Sequence, residues 1–339
     1  MVAQSVDYVE IYVSDLRSAR DYFVVSMGFS HTADSQGPDR TSVLLRQGAA
    51  QLIITAGPAT EPFLTRHGDG VADIALNCGD VASSGRAAEA AGAHVSTVDG
   101  RVVISGFGSV NHSLVPVRAG PGAHLPAHYA WTTRAAVPFR PTGRVQLVDH
   151  VAVCVAPATL PAVADFYRDA LGLSRYSSEY VDVGDQAMDS IVVRSESGLV
   201  TFTLVAPDPT RNPGQLDTFL ASNDGPGVQH LAFLVDDMLL AVDQFATRGV
   251  RFLVTPPTYY EVLTERFPEL TPQVAALRAA NVLADRDPWG YLLQLFSRSP
   301  YERNTLFYEL IERRGSRGFG SANIRALYEA VGRDRMVAE

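Results

Sequence analysis

Short runs of alternating apolar and polar residues recur along the chain in a fixed order. VDYVEIYV (residues 6–13) and VDHVAVCV (148–155) both read as strands. An amphipathic stretch with an adjacent aromatic pair follows each, Tyr22-Phe23 or Phe166-Tyr167. It ends on a glycine suited to a helix C-terminus, Gly28 or Gly172. Further strand-like runs come next, TSVLLRQGAAQLIIT (41–55) and SIVVRSESGLVTFTLVAP (190–207). A second strand template then appears as GDGVADIAL (68–76) and GPGVQHLAF (225–233). Each copy leads into an amphipathic helix, VASSGRAAEAAGAHV (81–95) or MLLAVDQFATRGVRF (238–252), and more strands. Each half therefore reads as two βαβββ units, which makes the chain an internal duplication.

This pattern predicts an α+β protein of two domains, each an open barrel of paired βαβββ units. The first domain covers 1–130 and the second 147–339, with a linker at 131–146 inside a Pro- and Gly-rich connector spanning about 117–146. SANIRALYEAV (321–331) reads as a C-terminal helix with Ser321 as its N-cap.

Composition narrows the setting. The 339 residues are 46% hydrophobic and 19% charged, ordinary for a globular protein of about two domains. No apolar run reaches transmembrane length, and the N-terminus lacks a secretory pattern, so a cytoplasmic enzyme without membrane partners is expected. Net charge is −9, all of the positive charge is arginine, and no basic block suggests nucleic acid. Cys78 and Cys154 sit in apolar runs and read as core residues, not a disulfide or metal pair. The pattern leaves homo-oligomerisation open.

Candidate chemistry lies where the two copies differ. His150 aligns with Tyr8 and His230 with Asp73. A lone strand histidine is ordinarily a satisfied core residue, but two at repeat-equivalent places point to a shared ligand. Glu309, between Phe307 and Ile311 on one strand face, would be a costly unpaired buried carboxylate. Glu312 is the competitor, but beside Arg313 and Arg314 it reads as an exposed ion pair. Two histidines and a glutamate form a facial triad suited to non-haem Fe(II), with open positions for a chelating substrate and O2. The first half has NHSLVPV near the position of Glu309, and His31, His67, His94, His112, His124 and His128 fall mainly in loops or the connector without ligand spacing. The first half thus reads as a degenerate copy without metal.

The paired βαβββ units resemble the vicinal oxygen chelate superfamily. The second half, through GVQH, NVLADRDPWGYLLQLF, FYELIERRG and GFGSANIRALYEAV, resembles the 4-hydroxyphenylpyruvate dioxygenase family. That resemblance implies His150, His230 and Glu309 as iron ligands and catalytic residues, and a C-terminal helix over the active site. It also implies substrate contacts from Ser190, Gln215, Gln294 and Phe319, with Thr203, Val205, Asn323 and Ile324 in the same pocket. The implied reaction takes 4-hydroxyphenylpyruvate, Fe(II) and O2, releases CO2 and forms a ferryl-oxo. Attack on the ring gives homogentisate, as in the dioxygenases proper; attack on the benzylic carbon gives 4-hydroxymandelate, as in the sister synthases.

Dioxygenases of the family typically have PLN where this chain has Thr203-Leu204-Val205, Phe where it has Ile324, and Phe where it has Tyr328. The departures at Thr203, Val205 and Ile324 match the synthase pattern, so 4-hydroxymandelate is the expected product and homogentisate the alternative. The synthase reading implies supply of a building block for peptide antibiotics. Asp189 before Ser190 and HLPAHYAW in the connector depart from the usual pattern; Asp189 should point away from the pocket. Three other readings fit less well. An extradiol dioxygenase would carry an additional acid/base histidine in the second half, a glyoxalase-type isomerase more carboxylates, and a non-enzymatic binding protein no complete ligand set.

Overall fold

The computed structural model describes residues 3–117, 124–134, 144–320 and 323. The expected helix at 321–331, with Ser321, Ile324 and Tyr328, lies outside the described residues except for Asn323. Strands β1 (Ala3–Tyr12), β2 (Ser30–Gln36), β3 (Thr41–Gln47), β4 (Ala50–Ala56), β5 (Gly70–Cys78), β6 (Val95–Val98), β7 (Arg101–Ser105), β8 (Asn111–Pro116) and β9 (Trp131–Thr133) form one sheet. Their order is β6-β7-β8-β5-β1-β4-β3-β2-β9. Strands β10 (Val145–Cys154), β11 (Ser174–Val183), β12 (Gln186–Arg194), β13 (Thr201–Pro207), β14 (Gly227–Val235), β15 (Leu283–Asp287), β16 (Gly290–Phe296) and β17 (Phe307–Arg314) form the second. Their order is β11-β12-β13-β10-β14-β17-β16-β15.

The duplication holds in register. In each half the first unit closes through a parallel pair, β1–β4 or β10–β13, the second through another, β5–β8 or β14–β17, and the two units join through an antiparallel pair, β1–β5 or β10–β14. Helix Leu160–Leu171 ends as its sequence predicts: Gly172 takes φ 71°, ψ 24°, and its N–H closes onto the last turn. Its face of Ala164, Tyr167, Ala170 and Leu171 is buried. The corresponding stretch in the first half is α-helical only over Leu16–Asp21 and finishes as a π-helical turn, Tyr22–Ser26. That wider turn presents both Tyr22 and Phe23 to Tyr308 of the other half, with ring centroids at 5.8 and 5.3 Å. The connector is not wholly irregular, because β9 adds to the edge of the first sheet by pairing with β2. Additional helices at Pro257–Arg266 and Val274–Ala279, for which the alternation gives no signal, are inserted before β15. Both cysteines are free and buried, and no helix among the described residues is long and apolar enough to cross a membrane.

The halves meet at a buried histidine. His112 lies on β8, not in a loop. Its Nδ1 donates to Ile74 O at 3.1 Å, so its Nε2 accepts from the Tyr167 hydroxyl of the second half at 2.7 Å. Burial lowers its pKa to about 4. The unfolded state therefore binds the extra proton first, and the stability this neutral imidazole gives above pH 6.5 is lost as pH falls towards 4. In urea titrations at pH 7 and pH 4, the stability gap between the wild-type chain and His112→Gln should narrow at the lower pH by roughly 3 kcal/mol. A gap independent of pH would show that His112 does not titrate with unfolding.

Candidate metal centre

Each strand of the second sheet contributes a side chain to one cavity of about 450 Å³, so that sheet must curl around it. Tyr176 comes from β11, Ser190 from β12, Thr203 and Val205 from β13, His150 from β10 and His230 from β14. Glu309 comes from β17, Gln294 and Phe296 from β16 and Asp285 from β15. Cross-strand register orders these walls. His150, Ala232, Glu309 and Phe296 form one row. His230, Ala152 and Thr203 form the next. Val205 and Ser190 lie opposite each other in a third row, two residues or roughly 6.7 Å further along the strands.

The two histidines are aimed by bulges. On β10, Val148 pairs with Phe233 and His150 with Ala232, which leaves Asp149 as an extra residue. On β14, His230 pairs with Ala152 and Val228 with Val153, which leaves Gln229 extra. Such a residue escapes the strict alternation of faces and can turn towards its neighbour. Asp149 Oδ1 lies 2.9 Å from His150 Nδ1, and Gln229 Oε1 lies 3.3 Å from His230 Nδ1. Both acceptors draw the ring proton to Nδ1 and leave Nε2 facing the cavity. There each Nε2 stands 3.2 Å from Glu309 Oε2.

All three side chains are buried, and their ligand atoms lie within 4.8 Å of one another, a group that could hold a metal ion. The spacing fits one: donors at right angles around an ion, each at roughly 2.1 Å, stand about 3 Å apart. Glu309 needs a positive neighbour, and in the cluster by itself the His150 imidazolium is that neighbour. Burial opposes charge on every member, yet the Glu309 and Asp149 carboxylates hold His150 up to about 9. Glu309 is drawn down to about 2 against its burial, chiefly by His150, while burial lowers His230. A buried carboxylate that demands a positive neighbour is what a metal site provides.

Ser190, Thr203, Val205, Gln215, Gln294, Phe319 and Asn323 all line the cavity; Ile324 lies outside the described residues. Asn323 engages protein: its Nδ2 donates to Gln294 Oε1 at 3.0 Å, and its Oδ1 lies 2.8 Å from the Tyr259 hydroxyl. Gln294 Nε2 in turn donates to Glu309 Oε1 at 2.9 Å and to Phe319 O at 3.2 Å. Gly320 lets this happen. Its φ is +74°, and a Cβ there would fall 1.8 Å from Gln294 Oε1. Asp189 is exposed, as expected from alternation. Glu312 differs from expectation. It does pair with Arg314, but it is buried, because its Oε2 accepts the Met238 N–H at 2.6 Å and caps the helix Met238–Thr247. Sequence reasoning missed Asp149, Gln229 and Arg313, which hold the site from behind.

The equivalent place in the first half is filled by protein. Register puts Tyr8 at the position of His150, Asp73 at that of His230 and Ser113 at that of Glu309. Arg101 falls at the position of Gln294. Its Nη1 donates to Ser113 Oγ at 2.7 Å, Tyr8 Oη at 3.1 Å and Asp73 Oδ2 at 3.4 Å. Leu125, Tyr129 and Trp131 of the connector pack against the apolar group formed by Tyr8, Ala33, Leu44, Ile53 and Ala75.

Residues 147–295 match the Glyoxalase/Bleomycin resistance protein/Dioxygenase superfamily. The chain is 30% identical to a 4-hydroxyphenylpyruvate dioxygenase from Yarrowia lipolytica, over 97% of its own length and 91% of the relative's. It is likewise 30% identical to one from Coccidioides posadasii, over 97% and 92%. Among solved structures it resembles a triple mutant of 4-hydroxymandelate synthase from Streptomyces coelicolor, with 47% identity, a TM-score of 0.90, and coverage of 98% and 99% of the two chains.

Proposed function

Because the chain belongs to the 4-hydroxyphenylpyruvate dioxygenase family, whose members are non-haem iron dioxygenases, we propose that it converts 4-hydroxyphenylpyruvate and O2 into 4-hydroxymandelate and CO2. The observation that carries the choice of product is the far wall of the cavity, where Val205 stands opposite Ser190 and offers no amide to the substrate ring. The higher identity to a 4-hydroxymandelate synthase than to the dioxygenases supports the same reading.

His150, His230 and Glu309 would hold Fe(II). When bound, the iron supplies the chelation of the α-keto acid and the activation of O2 for oxidative decarboxylation. Asp149 and Gln229 keep the two imidazoles in the tautomer that offers Nε2. Gln294 steadies Oε1 of Glu309, which would leave Oε2, the oxygen both imidazoles face, for the ion. Phe319 stands edge-on to His150, ring centroids 5.3 Å apart, and offers a flat wall to the substrate ring. Thr203 and Val205 line its path, and Ser190 and Gln215 are the polar groups at its end for the phenolic hydroxyl. Excluding water from this apolar cavity would protect the reacting side chain. In the first half, the Arg101 guanidinium supplies the positive charge that iron would supply in the second, so that domain serves as scaffold.

The test is incubation with 4-hydroxyphenylpyruvate, Fe(II) and O2, with products separated by chromatography against standards. 4-Hydroxymandelate should dominate. Homogentisate as the main product would reject the reading of the far wall, and absence of iron-dependent turnover would reject the reaction.

A further inference from the structure

We propose that Arg313 is a positioning residue that ties the metal ligand His150 to the loop carrying Phe319. Its guanidinium sits between the two. Nε and Nη2 clamp the Asp149 carboxylate at 2.8 and 2.7 Å. Nη1 donates to Gly318 O at 2.6 Å and, more weakly, to Ser316 O at 3.4 Å. The Phe319 ring stacks on its charge, 5.1 Å from Cζ. Asp149 Oδ1 accepts from both Arg313 and His150, and Phe319 packs against the His150 ring. The contacts form a closed circuit: His150, Asp149, Arg313, Phe319 and back to His150. A separate path, Glu309 to Gln294 to Phe319 O, joins the same loop to a second ligand.

Two of the three proposed ligands are thus oriented through groups that also fix one wall of the substrate cavity. A planar fork is required for this. Lysine, a single point charge, cannot clamp both carboxylate oxygens while bonding a carbonyl on the other side. Without Arg313, Asp149 would be left partly unpaired in the interior and free to rotate away from His150 Nδ1. Metal affinity and the position of the Phe319 loop should therefore change together.

The inference rests on the metal reading, and Co(II) added to metal-free protein separates the two. Failure of the wild-type chain to bind Co(II) would overturn the metal reading itself. If it binds, Arg313→Lys and Asp149→Asn should each weaken Co(II) roughly 10–100-fold, the size expected for partners of metal ligands. Each should also shift the visible d–d bands of the bound ion. The double variant should be no weaker than the worse single one, because both changes break one circuit. Co(II) should slow hydrogen exchange at residues 315–320 in the wild-type chain, a measurement that needs no variant to fold. In folded Arg313→Lys, KM should rise and the slowing should disappear. Wild-type affinity and spectrum in Arg313→Lys, additive losses in the double variant, or no effect of Co(II) on the loop of the wild-type chain would each overturn the inference.

Discussion

Glu309→Ala should remove iron binding and turnover together. Glu309 is the group on which both imidazoles converge, each Nε2 lying 3.2 Å from the same carboxylate oxygen. Its truncation deletes a donor and the site's negative charge, so the loss in metal affinity should exceed the 10–100-fold typical of removing an outer partner. Titration calorimetry with Co(II), together with metal analysis of protein purified after iron loading, would measure it. Retained stoichiometric iron would sink the assignment of Glu309. The same truncation at Asp73 provides the contrast. There the partners are Arg101 and Ser113, so Asp73→Ala should cost about 1–3 kcal/mol of stability by leaving buried donors short of an acceptor. Metal binding should be unchanged. Loss of iron from Asp73→Ala would overturn the view that the first half is scaffold.

The duplication and the three convergent side chains were legible in the sequence because both rest on differences between aligned copies. His150 against Tyr8, and His230 against Asp73, stand out against a shared alternation of apolar residues. The same comparison hid the groups behind the ligands. Asp149 aligns with Asp7, so a comparison of the copies does not mark it, and both are the extra residue of the same bulge. Only its neighbour differs: beside a histidine the bulged carboxylate orients an imidazole, whereas Asp7 Oδ1 accepts from Asn77. A bulge is invisible to a period-two reading, because one added residue breaks the count that defines the face. Glu312 was misread for a related reason. Two neighbouring arginines suggested solvent, while its actual partner, the Met238 N–H, is 74 residues distant in sequence. The helices at 257–279 escaped because their apolar positions are sparse. They nevertheless place Tyr259 beside Asn323, and hence behind Gln294.

Val205→Asn should move product from the proposed 4-hydroxymandelate towards homogentisate. Val205 lies on the cavity wall, nearly buried, opposite Ser190 and beyond Thr203 in the direction away from the proposed ligands. The substitution replaces a β-branched apolar side chain by a slightly smaller amide that reaches one atom further into the cavity. An amide in that row can hydrogen-bond an oxygen on the ring and draw the ring along the cavity, changing which carbon faces the metal position. One such bond is worth about 1–1.5 kcal/mol, which corresponds to roughly a tenfold change in a product ratio. The opposing term is the amide's own burial when no ring is bound, which should appear as lower stability without substrate and not as lost turnover. Pairing the change with Ile324→Phe, another departure from the dioxygenase pattern at a position that the family resemblance assigns to the same pocket, should shift the ratio further. Product ratios read by chromatography at matched conversion decide the matter. If Val205→Asn turns over substrate with an unaltered ratio, the far wall does not select the product. Selection would then have to arise nearer the ligands, at Thr203 or Phe319.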